Sequence, residues 1–158
     1  ISDFELLTKN VVRLIKGLRE LGIELIVTEQ YSKGLGHTIK EISESIGEFS
    51  HIEKGTFSCC GSDSVCKKLK ETGKENVIIM GIESHVCVLQ TVVDLISLGY
   101  RPVLIEDCVS SRNPNDKKIA IERMKTEGAI VSTYESILFE LCEVSGTNEF
   151  KAISRIVK

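Results

Sequence analysis

The sequence predicts an α/β domain of the three-layer, Rossmann-like type: a mostly parallel sheet with helices on both faces. Three observations predict it. Strand-length apolar runs alternate with helix-period stretches along the whole chain. The run Asn76–Met80 is continuously apolar, as in a strand covered on both faces. No internal repeat or proline-rich linker interrupts the alternation, and only 2 prolines occur in 158 residues. A length near ~150 residues suits one well-cored domain, so residues 1–158 are read as one unit.

The elements follow in order. Asp3–Leu21 reads as an amphipathic helix, because Phe4, Leu7, Val11, Leu14 and Leu18 recur every three or four residues while Lys9, Arg13, Lys16 and Arg19 take the other faces. Gly22 stands where a helix end favours a left-handed residue. Ile23–Val27 is short, apolar and β-branched, a buried strand ending at Thr28–Tyr31, and the glycines of Ser32–His37 indicate a loop. His51–Lys54 is a short strand and Ser62–Thr72 a helix with Val65 and Leu69 inward. After the strand Asn76–Met80 comes a helix over Ser84–Leu98, with Val86, Leu89, Val93 and Ile96 on one stripe. Arg101–Ile105 is a strand ended by Glu106–Asp107, Asn115–Glu127 a helix, and Ala129–Ser132 a short strand; Ser136–Leu141 and Asn148–Val157 are helical.

Charge and composition narrow the function. The 20 basic residues against 23 acidic ones leave a net charge of −3, which disfavours a nucleic-acid groove and attachment to an anionic membrane. No apolar run approaches the ~20 residues that span a bilayer. Six cysteines are too sparse for a disulfide scaffold, so a reduced, cytoplasmic setting is expected. No G-x-G-x-x-G follows a strand and no P-loop is present, so no cofactor is expected.

Ligands of parallel sheets bind at the carboxyl ends of the strands. That rule selects Thr28–Tyr31, Lys54–Ser58, Gly81–Cys87 and Glu106–Arg112. Within Gly81-Ile-Glu-Ser-His-Val-Cys87, a cysteine falls about one turn inside a helix that starts directly after a central strand. With Ser84 as N-cap, the thiol lies near unpaired N–H groups and the positive helix end, which favours the nucleophilic thiolate. The plainer alternative is a buried cysteine filling space, yet Cys87 lies off the apolar stripe, flanked on its helix face by Gln90 and Thr91. Lys54 is either a solvated charge or an ammonium turned into the cleft to stabilise thiolate and oxyanion. Such chemistry also needs a base, for which a carboxylate is the natural candidate. Cys59, Cys60, Cys66, Cys108 and Cys142 form no C-x-x-C pair and read as packing residues, although the vicinal Cys59–Cys60 leaves a redox-sensing thiol open. Glu29, Tyr31 and Phe57 are candidates for the substrate pocket, the aromatic pair equally for packing. His85 is read as either touching substrate or standing solvated at the helix start.

The stretches Thr28-Glu-Gln-Tyr-Ser-Lys-Gly-Leu-Gly36, Lys54-Gly-Thr-Phe-Ser58, Gly81–Cys87 and Asp107-Cys-Val-Ser-Ser-Arg112 resemble, in this order, the isochorismatase-like cysteine hydrolases, a family that includes nicotinamidases; the subgroup resembled is that of isochorismatase-domain-containing proteins. The resemblance implies that Cys87 attacks an amide or related carbonyl to give a thioester, with Lys54 as the triad lysine. It implies a cis peptide at Ile82–Glu83, an oxyanion hole from the N–H groups of Glu83 and Cys87, a small-molecule substrate and a homo-oligomer. The family's third catalytic residue is an aspartate ending the first strand. This chain opens at Ile1, at the following helix, so that strand and its aspartate are expected upstream of Ile1. Asp3 sits too far along to replace it, and Asp107 is expected to tie down the Cys108–Arg112 loop. A non-catalytic assembly module that kept the fold is the alternative. The nicotinamidase branch binds a metal through an aspartate and two histidines after the second strand; Glu29–His37 holds one histidine and no Asp-x-His, and His51 and His85 are isolated in sequence, so no metal is expected.

Overall fold

The computed structural model describes residues 1–158. Helix α1 spans Phe4–Glu20, and the chain then extends into β1, Val27–Gln30. A single helical turn, α2 (Ser32–Leu35), and α3 (Lys40–Ile46) lead to β2, His51–Lys54. A 3₁₀ turn at Cys59–Gly61 precedes α4, Asp63–Thr72. Then come β3 (Asn76–Ile82), a π-helical turn (Ser84–Val88) and α5 (Leu89–Ser97). The chain ends with β4 (Arg101–Ser110), α6 (Pro114–Glu127), β5 (Ile130–Ser132), α7 (Tyr134–Cys142) and α8 (Asn148–Val157).

Every strand pairing is parallel. The pairs form two pieces, β1–β2 and β3–β4–β5. The same two helix layers cover both pieces. On one face, α1, α3, α7 and α8 pack over Leu25, Val27, Ile78, Met80, Val103 and Ile105. On the other, α4, α5 and α6 cover Ile26, Ile52, Val77, Ile79 and Leu104. The alternation of successive side chains through the sheet assigns each residue to its layer, so the three-layer expectation holds. No helix is long and apolar enough to cross a membrane.

Local boundaries differ from the sequence reading where pairing decides them. The first strand lies at Val27–Gln30 rather than Ile23–Val27, and Ile23 is exposed. Its partner β2 has only four residues in register Val27↔His51 to Gln30↔Lys54, so no ladder exists before Val27. The loop after β1 contains a helical turn entered through Tyr31 at φ 42°. Strand β4 does not stop at Glu106–Asp107. It bulges there and resumes, with Ile79↔Leu104 followed by Gly81↔Val109. Asp107 and Cys108–Ser110 therefore lie within the strand rather than before a loop; the Asp107 Oδ1 accepts the Tyr134 N–H (2.9 Å) at the start of α7, an anion at a helix N-terminus.

Helix α1 crosses α7 closely at Gly17, where an added Cβ would meet Leu138 Cδ2 at 2.5 Å. Leu138 is fully buried, so making room for a new side chain means repacking the core around it. Gly17→Val is therefore expected to lower stability by roughly 1–3 kcal/mol despite valine's better helix propensity. A chemical-denaturation midpoint that stays at the wild-type value would contradict this packing.

Candidate functional site

Strands β1 and β2 place Lys54 opposite Gln30 at their carboxyl ends. Lys54 is buried, and its Nζ donates to Gln30 Oε1 (2.6 Å), Thr56 O (2.9 Å) and Phe57 O (2.8 Å). An ammonium has three N–H donors, so all are used, and none of the acceptors carries a charge. The segment 54–60 is thus wrapped around the cation. It is tied to α5 by Thr91, whose Oγ1 accepts the Cys59 N–H (2.9 Å) and donates to the Cys87 carbonyl (2.7 Å).

Cys87 occupies the π-helical turn directly after β3. The peptide bond Ile82–Glu83 is cis. The wide turn arises because the Val88 N–H reaches the Glu83 carbonyl (3.2 Å) and the Leu89 N–H the Ser84 carbonyl. Ser84 is not the N-cap expected from the sequence. Glu83 takes that position, and the Ser84 hydroxyl is fully buried without a hydrogen bond. Cys87 itself is partly exposed.

The thiol is not the depressed one that the helix end and ammonium suggested. Burial pushes the Cys87 thiol above its ordinary value. The Lys54 charge pulls it down, as does a hydrogen bond from the Glu83 backbone, while Cys59 and the Glu83 carboxylate oppose them. Desolvation is the largest of these influences and leaves the thiol above its ordinary value. Of the remaining cysteines, Cys108 is wholly buried, in keeping with packing, and burial raises Cys60 to about 11.

The other nominated residues divide into two groups. Phe57 gives its carbonyl to Lys54 while its ring is exposed, and Tyr31, also exposed, donates its N–H to the Lys54 carbonyl (3.3 Å). His85 Nδ1 lies 2.9 Å from Ser111 Oγ, and Glu83 Oε1 pairs with Arg112 Nε (2.9 Å). The Ser2 N–H bonds to Ser111 O (3.1 Å), which brings the start of the chain to this same sheet edge.

Glu29 does not join them. It alternates with Gln30 along β1 and faces the opposite side of the strand pair. There it is buried and meets His37 Nδ1 (2.7 Å) and His51 Nε2 (3.5 Å), two histidines the sequence separates. Burial alone would raise the Glu29 carboxyl, but hydrogen bonds from the Thr38 N–H and hydroxyl and from His37, with the nearby His51, bring it down to about 2.

Sequence reasoning missed Gln30 and Thr91. The first was recoverable from the Gln30–Lys54 pairing of two short parallel strands. The second had no signal beyond its place one turn after Cys87. A groove of about 700 Å³ lies elsewhere, around Phe4, Arg13 and Ile156, and none of these site residues lines it.

Residues 1–136 match the family model described as the isochorismatase domain. The chain belongs to the isochorismatase family. It is 40% identical over 150 residues to Isochorismatase family protein 1B of Dictyostelium discoideum, covering 92% of this chain and 72% of that protein. Among solved structures, MAR1 ribonuclease from Caenorhabditis elegans is similar with a TM-score of 0.93 and 39% identity, over 99% of this chain and 81% of that one. YcaC from Pseudomonas aeruginosa, solved with hexane-2,5-diol and covalent acrylamide, is similar with a TM-score of 0.88 and 25% identity, over 97% of this chain and 77% of that one.

In this isochorismatase-family chain Thr91 is 5% exposed and clamps the lysine loop to the cysteine turn. Thr91→Val keeps the shape but strands the Cys59 N–H. It is expected to cost about 1–3 kcal/mol and to speed hydrogen exchange at the Cys59 amide. Unchanged exchange there would show that the clamp does not hold the loop.

Proposed function

We propose that this isochorismatase-family chain hydrolyses a small amide or related carbonyl compound, without a cofactor, through a thioester on Cys87. The observation that carries the reading is the pairing of a partly exposed thiol at the carboxyl end of β3 with a buried ammonium whose charge favours its thiolate. Sγ attacks the carbonyl carbon, and the thiol proton passes to a base and then to the leaving amine as the C–N bond breaks. Water next attacks the thioester carbon, releasing the carboxylic acid and restoring the thiol. Glu83 and Cys87 N–H groups are proposed to bind the oxyanion, with Lys54 adding positive charge. Tyr31, Phe57 and His85 are proposed to border the substrate.

Because burial raises the Cys87 thiol, the scheme needs a base to take its proton. We assign it to an aspartate on a strand preceding Ile1. Three features support that assignment. Ser2 is held at Ser110–Ser111, beside the end of β3. Strands β1 and β3 each pair on one side only. Their side chains enter the same two layers, as those of the neighbours of an intervening strand would. The exposed Tyr31, Leu35 and Phe57 support association of copies at this rim. The similar C. elegans protein is named a ribonuclease; a thiol beside an ammonium suits carbonyl addition, and single-stranded RNA is expected to stay uncut.

The test is a panel of amides and activated esters offered to the full-length protein, with hydroxylamine added to trap the thioester as a hydroxamate. Cys87→Ala is expected to lower kcat/KM at least about 10³-fold and abolish hydroxamate formation. Undiminished turnover in that variant would refute the reading. Absence of turnover in a full-length protein whose first strand ends in a neutral residue would favour the assembly module.

A further inference from the structure

The face of β1–β2 turned away from Lys54 carries a second cluster that the proposed hydrolysis does not use. Glu29, His37 and His51 each offer one ligand atom, and these atoms lie within 4.8 Å of one another. The carboxylate is pre-oriented. Its Oε1 accepts the Thr38 N–H (2.8 Å) and hydroxyl (2.7 Å), leaving Oε2 to face both imidazoles. Glu53 is held likewise, with Oε1 accepting the Ser32 N–H (2.7 Å) and Oε2 lying 3.7 Å from His51 Nε2.

His51 is the informative member. Its Nε2 stands 3.5 Å from Glu29 Oε2 and 3.7 Å from Glu53 Oε2, at the limit of or beyond a useful hydrogen bond. Bond lengths of ~2.0–2.1 Å in a tetrahedral zinc site put neighbouring ligand atoms roughly 3.3 Å apart. The His51–Glu29 gap is close to that edge length. The His37–Glu29 contact of 2.7 Å is shorter, but the His37 side chain is 71% exposed and can open by the few tenths of an ångström required.

We infer that Glu29, His37 and His51 bind a divalent transition-metal ion of the zinc class, with Glu53 or water completing a tetrahedron. Two imidazoles and a carboxylate suit zinc or cobalt; magnesium and calcium prefer all-oxygen sets. The ion would join the segment after β1 to β2, bracing from behind the strand ends that carry Gln30 and Lys54. Because Glu29 and Lys54 project to opposite faces, the site is separate from the thiol, and the inference stands whether or not Cys87 is catalytic.

The experiment titrates cobalt(II) chloride into the full chain under reducing conditions, with zinc(II) chloride as competitor. The expected result is visible ligand-field bands of tetrahedral cobalt without a thiolate charge-transfer band. Zinc should displace the cobalt and raise Tm. His37→Ala and His51→Ala should each weaken binding at least about 10-fold, while Cys87→Ala leaves it unchanged. Failure to bind at micromolar metal, a thiolate charge-transfer band, or binding unaffected by both histidine variants would overturn the inference.

Discussion

A buried ammonium with only neutral partners is the constraint on which the proposed chemistry depends. Taking Lys54 out of water costs several kcal/mol. Three hydrogen bonds from a charged donor, each contributing about 1.5–3 kcal/mol, offset that cost without neutralising the charge. The positive potential therefore persists in the cleft and acts on whatever becomes negative there. Much of the surrounding architecture serves this wrapping. The 54–60 segment supplies two carbonyls, β1 supplies Gln30, and Thr91 fixes the segment to the turn bearing Cys87.

The sulfur's environment then sets the order of events. Burial outweighs the ammonium at the Cys87 sulfur and raises the thiol. In the proposed reaction the ammonium's contribution would be greatest as the thiolate and the oxyanion form, which is where stabilisation accelerates a reaction. The π-helical turn serves the same end. It is one residue wider than an α-turn and brings Cys87 to the sheet's carboxyl edge within reach of the Glu83 backbone.

The layered fold was legible from the sequence because continuous apolar strands and one-sided helices are enforced by burial on a scale no local preference overrides. Cys87 and Lys54 are nominated by the sequence because strand ends of a parallel sheet are where ligands bind. Details set by pairing were less visible. Strand β1 began late because β2 offers only four partners, and β4 passed through a bulge at Glu106–Asp107. Glu29 was assigned to the wrong face, since a one-residue step along a strand reverses the side chain's direction. Its approach to His37 and His51 depends on β1–β2 register, which links positions far apart in the chain. The ammonium and the Glu83 backbone at the helix end do lower the Cys87 thiol, but helix position alone says nothing about desolvation, which opposes them.

The most direct measurement is the ultraviolet titration of the Cys87 thiolate in the full-length protein, taken as the difference from Cys87→Ala, with and without Lys54→Met. The account predicts a wild-type thiol that titrates above the ordinary cysteine range, and higher still once the ammonium is removed. A titration left in place or moved downward by Lys54→Met would contradict it.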